Sequence, residues 1–231
     1  PAPPRAVRAL GALRVALRLT GLPAGSELRF AAPGADRSVV DVVNAAEIEA
    51  LAVQQPLYWT PVTDGDTQAI EIWLPPGASA RWLRVAAPAI SHLVVSPSGD
   101  LSGAKIGESD VCEIDTKCVT NPSTAYINAR NAVARMVFQS GGSSSLCTGT
   151  LLNDTDNATQ LPYFFGAAHC FTSQAEGNTL TTFWFYESTG CGTNVLDPGA
   201  RQVGGGAQVL FASVASDVLF LTVFWHFTGN A

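Results

Sequence analysis

Apolar and polar side chains alternate along residues 13–19 ("LRVALRL") and again along 27–30 ("ELRF"), with the turn-forming stretch "GLPAGS" between them. A period of two, punctuated by Gly and Pro, predicts half-buried antiparallel strands. "LYWTPVTDGDTQAIEIWLPPG" repeats the pattern, and Asp64-Gly65 marks a turn before the strand "QAIEIWL". "ARWLRVAAPAISHLVV" predicts a further strand pair. Only "SVVDVVNAAEIEALA" has helical character, weakened by its Val-rich start. Short strands at regular spacing therefore predict a small antiparallel β-sandwich-like domain over residues 1–100. His92, inside "ISHLVV", reads as a structural strand residue.

The grammar changes after that domain. "SPSGDLSGAKIGESD", residues 96–110, is small, polar and Gly-rich, with little to bury, and predicts a linker centred on 101–106. Within it Lys105-Ile106 is a basic site open to processing by a protease. Strand patterns resume in "ARNAVARMVFQS", "SLCTGTLLN", "QLPYFFGAAHC", "LTTFWFYES", "QVLFASV" and "DVLFLTVFW". Six strands joined by Gly and Asn/Asp turns predict a closed or nearly closed antiparallel barrel over residues 107–231. The sequons at Asn153 and Asn157 fall in an exposed hairpin loop between two of these strands. The expected fold class is thus all-β, a sandwich followed by a barrel.

Charge sharpens the division. Residues 1–105 carry nine basic and nine acidic side chains, whereas 106–231 carry four and ten, so the net charge of −6 belongs to the second half. An acidic surface argues against nucleic acid as a partner. No apolar run reaches the roughly 18 residues that a membrane span needs, so no membrane partner is expected. All five cysteines lie between 112 and 191, with no C-x-x-C pair and no zinc-like spacing to histidine. This pattern predicts a disulfide framework in an exported protein, no metal, and one cysteine left over.

The chemistry concentrates in "CTGTLLNDTDNATQLPYFFGAAHC", residues 147–170. A general base near neutral pH calls for an imidazole, whose unperturbed pKa is about 6.5. It must be held to within about half an ångström, which a strand end and an adjacent disulfide can provide. This segment resembles the part of chymotrypsin-like serine proteases in which a C-[GT]-G-[ST]-L strand leads through a hairpin to [TS]-A-A-H-C. The long polar insert and the upstream spacing "CEIDTKC" are closer to bacterial lysyl endopeptidases than to animal trypsins. "TTFWFYESTGC" and "FASVASDVLFL" continue the likeness, which covers roughly 107 to 222.

The resemblance implies a trypsin-like serine endopeptidase, secreted to the periplasm or the medium, acting on protein or peptide substrates without a cofactor. On this likeness it would be a monomer when complete. By the same likeness residues 1–100 are prodomain-like, and 107–231 are the first β-barrel, with the second missing. His169 would be the general base and Asp217, 48 residues on, the carboxylate that orients it. Cys147 would pair with Cys170 and Cys118 with Cys191, while Cys112 would be unpaired because its partner belongs to the second barrel. Gly166 departs from the usual Thr or Ser, which should loosen the strand leading to the histidine.

What the family needs and these residues lack is a G-[DS]-S-G-[GS] turn, the source of the nucleophile and of the oxyanion-hole N–H groups. "SGGSSS", 140–145, precedes His169 and reads as a hairpin loop, and only fourteen residues follow Asp217. The chain therefore reads as a precursor fragment, inactive as it stands. His226, in the tail "VFWHFTGNA", reads as incidental. Two other readings remain open: a non-catalytic secreted binding protein, and a cysteine hydrolase using Cys170 or Cys191, which needs a free thiolate.

Overall fold

The computed structural model describes residues 11–32, 39–53, 55–93, 96, 114–156, 158–193 and 195–224. Strand β1 (Ala12–Thr20) organises the N-terminal half. It pairs antiparallel with β4 (Tyr58–Trp59), β5 (Thr63–Asp64) and β7 (Arg84–Leu93). A second sheet has the order β3-β2-β6, from β3 (Val39–Asn44), β2 (Glu27–Ala31) and β6 (Ala69–Trp73). Leu13, Val15 and Leu17 of β1 meet Leu28 and Phe30 of β2 and Val43 of β3 in one buried cluster. Side chains of that size contribute roughly 1.5–3 kcal/mol each on full burial. Helix α1 (Ala45–Ala52) adds Ile48 and Leu51 to the cluster.

Two local readings change. The stretch "SVVDVVNAAEIEALA" is a strand and then a helix, because Asn44 and Glu47 form a reciprocal capping box that starts α1 after the Val-rich run. "ARWLRVAAPAISHLVV" yields one long strand, β7, and not a pair. A short 3₁₀ turn over Ala80–Trp82, capped by Ser79, takes up the residues before it. His92 lies in β7 opposite Leu13 and is exposed.

The second half forms a seven-stranded sheet in the order β12-β11-β8-β9-β10-β14-β13. Its strands are β8 (Val133–Ser140), β9 (Ser143–Leu152), β10 (Tyr163–Gly166), β11 (Thr181–Trp184), β12 (Arg201–Val203), β13 (Ala207–Ser213) and β14 (Val218–Val223). The sheet curls until its two ends meet at Gly204–Gly206. Gly206 donates its N–H to Leu180 O ahead of β11 and accepts from Phe224 N after β14. Its φ of 84° suits glycine, and a Cβ there would lie 2.8 Å from Asn178 O. Met136, Phe138, Phe164, Leu219 and Leu221 fill the interior.

The barrel-like all-β architecture matches the expectation, with corrections. β12 makes seven strands of the expected six. The first residues of "ARNAVARMVFQS" end a helix, α2 (Thr124–Ala132), which Ser123 caps by accepting from Tyr126 N. A one-turn helix, α3 (Gln174–Gly177), follows the histidine segment. The 101–106 linker, Lys105, Cys112 and His226 lie outside the described residues.

The two halves share a contact that alternation alone did not reveal. One face of β1 fills the sandwich, and the opposite face, Ala12 and Arg14, is covered by the barrel. Ala12, Val62 and Leu93 pack with Val137 and Phe183. Arg14, fully buried, donates from Nη1 to Thr179 O at 2.7 Å and to Thr181 Oγ1 at 2.9 Å. Its guanidinium also lies over the Trp59 ring, 4.9 Å from the centroid. This is why the first six residues of β1 are buried without a break.

Candidate active site

Strand β10 ends at Gly166, and two alanines carry the chain to His169. The disulfide Cys147–Cys170, with Cα atoms 6.1 Å apart, ties the residue after His169 to β9. The loop it closes, with a sequence separation of 23, is worth roughly 3 kcal/mol in the chain-entropy view. Gly149 is required on β9, since a Cβ there would fall 2.1 Å from Cε1 of the buried Phe164 ring.

Asp217 approaches from the turn between β13 and β14. Its φ is 52°, a left-handed conformation that aspartate tolerates better than most residues. One carboxylate oxygen, Oδ1, accepts from His169 N at 2.9 Å, and Oδ2 lies 2.7 Å from His169 Nδ1. The carboxylate thus fixes both the backbone and the ring of the same residue. Its carboxyl is held below the usual carboxylate range, first by the His169 N–H and then by the imidazole, with a smaller contribution from the nearby Ala168 N–H. Both side chains are largely exposed, 71% for His169 and 51% for Asp217. No hydrogen-bond partner for His169 Nε2 occurs among the described residues. The arrangement supplies an oriented imidazole with one nitrogen held by a carboxylate and the other open, which suits general-base chemistry.

The remaining candidates fall as follows. Cys118 and Cys191 form a disulfide with Cα atoms 4.6 Å apart, joining the segment before α2 to the loop after β11. Both Cys170 and Cys191 are therefore bonded, and the cysteine-hydrolase reading is corrected: neither sulfur is a thiolate. The sulfurs of Cys147 and Cys170 lie within 4.8 Å of a His169 ring nitrogen, but being joined to one another they offer no thiolate to a metal. Two serines of "SGGSSS", Ser140 and Ser144, are engaged structurally. Gly141 and Gly142 turn the β8–β9 hairpin with φ of 57° and 82°. Ser140 donates to Glu176 Oε1 at 2.6 Å, and Ser144 meets Ser91 of β7 at 2.5 Å.

Glu176 was not singled out in the sequence. It accepts from Ser140, from the Ser173 hydroxyl and from the N–H of Ser173, bracing the segment after Cys170 against the β8–β9 hairpin. Partial burial opposes its ionisation, but these hydrogen bonds prevail and hold its carboxyl below its ordinary range. The signal was the S-x-x-E spacing of Ser173 and Glu176, a capping box.

Comparison with known proteins extends over both halves. The family model for the lysyl endopeptidase C-terminal domain matches residues 106–225, and that for the lysyl endopeptidase N-terminal domain matches residues 6–94. Over 220 residues the chain is 38% identical to a lysyl endopeptidase of Pseudomonas aeruginosa, an overlap that covers 90% of this chain and 46% of that protein. The chain thus spans about half the length of the relative it matches.

Proposed function

The chain belongs to the lysyl endopeptidase family, and from that premise we propose that it carries the general base and the orienting carboxylate of a secreted serine endopeptidase, without the nucleophile. In the intact enzyme a serine attacks the scissile carbonyl. His169 takes the serine proton through Nε2 and returns it to the leaving amine. Asp217 keeps the imidazole in the tautomer with its proton on Nδ1 and stabilises the imidazolium that forms. The observation that carries this reading is the double contact of Asp217 with His169 N and Nδ1.

Residues 1–100 serve as a prodomain, 101–106 as the linker, and 107–231 as the incomplete first barrel. Lys105 is the processing site, and Cys112 awaits a partner in the second barrel. Cleavage after lysine follows from the name of the relative, since the pocket that would select lysine belongs to the second barrel. Export from the cell accords with two disulfides outside any C-x-x-C motif.

The test is a fluorophosphonate probe together with a lysyl amide substrate. These 231 residues contain no G-[DS]-S-G-[GS] turn, so the chain should be neither labelled nor active. Joined to the downstream half of a homologous enzyme, it should label and cleave, and His169→Ala should abolish both. Labelling of the 231-residue chain at any serine would overturn the reading.

A further inference from the structure

A narrow cleft of about 40 Å³ runs between the sandwich and the barrel, lined by Asp41, Val42, Val43 and Tyr58 on one side and by Gln202–Gly205 on the other. We propose that this cleft is a pH-sensitive joint, in which ionisation of the Asp41 carboxyl weakens the seating of the sandwich on the barrel.

Asp41 projects from β3 into a setting that offers an anion little. Among the described residues its hydrogen bond is from the adjacent Val42 N, at 2.9 Å, and no cation pairs with it. On the sandwich side the titratable groups facing it are Glu47 of α1 and Tyr58 of β4. Burial, with Asp41 and Glu47 close by, pushes the Tyr58 phenol well up. The nearby Arg29 of β2 is committed to Glu27 and Glu71. On the barrel side Gln202, Val203, Gly204 and Gly205 carry no charge, and the guanidinium of Arg201 is held by the carbonyls of Pro198 and Ala200. Burial, aided by Glu47 and opposed by the Val42 N–H, raises the carboxyl from 3.8 to about 6.

The sign follows from linkage. Docking that raises an acid's pKa is most favourable below the undocked value and weakens as pH climbs through the docked one. The joint is therefore tightest below about pH 4 and loosest above about pH 6. A shift from 3.8 to about 6 corresponds to roughly a hundredfold change in the docking equilibrium if all of it arises from the barrel, and about tenfold if half does.

The joint has a built-in reporter. Val62 N donates to Gln202 Oε1 at 3.1 Å, and Gln202 Nε2 donates back to Val62 O at 3.0 Å, so the Val62 amide is protected across the joint. Hydrogen exchange of this amide in the full chain, corrected for intrinsic rate, should lose about tenfold to a hundredfold in protection between about pH 4 and pH 7. Asp41→Asn should flatten that response. A direct carbon-13 titration of the Asp41 carboxyl in the unsubstituted chain, which needs no variant to fold, should give a midpoint near 6. An unchanged response in Asp41→Asn, or an Asp41 midpoint near its ordinary 3.8, would overturn the proposal.

Discussion

Replacing Gly149 by alanine adds one methyl group at a position with no room for it. The Cβ would lie 2.1 Å from Phe164 Cε1, 2.5 Å from Cζ and 2.8 Å from Phe165 O. Carbon atoms in good contact sit about 3.5–4.0 Å apart, so the ring must retreat by roughly 1.5 Å. It cannot do so freely: Phe164 is fully buried and packs edge-on against Trp184, centroids 5.8 Å apart. Overpacking of this kind costs about 1–3 kcal/mol, and an overlap this deep belongs at the top of that range. For a chain of this size about 3 kcal/mol is a fall in Tm of roughly 6–12 °C. The matched control is Gly166→Ala, whose Cβ would meet nothing nearer than Leu219 Cδ2 at 3.7 Å. It should be neutral or raise stability by up to about 1 kcal/mol through the unfolded chain. Calorimetry or thermal circular dichroism on the pair decides the matter. Equal Tm values for the two variants would refute the packing of β9 against β10, and with it the placement of His169.

Arg14→Met should leave stability within about 1 kcal/mol or raise it, because burial without a carboxylate partner disfavours the guanidinium charge and an apolar side chain of similar length removes it. A urea midpoint showing a loss above about 3 kcal/mol would mean that its hydrogen bonds to Thr179 and Thr181 dominate. The Asp217 carboxyl should titrate below 3.8 by carbon-13 NMR, so that its contribution to stability is present above the ordinary value and disappears as pH falls through the lowered one. A midpoint above 3.8 would contradict its contacts with His169. Alkylation of the non-reduced protein should label Cys112 at most, and mass spectrometry finding label on Cys118, Cys147, Cys170 or Cys191 would break the disulfide assignment.

The features legible in the sequence were those set by local chemistry. Period-two alternation marked β1, β2 and β6, and turns rich in Gly or Asn/Asp marked the hairpins of the barrel. The histidine and the aspartate were found by likeness, and the structure brings them into contact. What escaped was set by long-range packing or by competing local signals. Arg14 reads as a solvent-facing member of an alternating strand, and only the docking of the barrel on that face makes it buried. Helix α2 was masked by the apolar run of β8 that follows without a break, although the Ser123 cap and Arg130 in the last turn were visible signals. β12 spans three residues, too short for any period to show.

The central claim is that Asp217 sets the tautomer and orientation of His169. Long-range proton–nitrogen correlation spectra of the imidazole, recorded at a pH where the ring is neutral, test it directly. The account predicts the proton on Nδ1 with Nε2 bare, and loss of that preference in Asp217→Asn. A ring protonated on Nε2, indifferent to the Asp217 substitution, would contradict it.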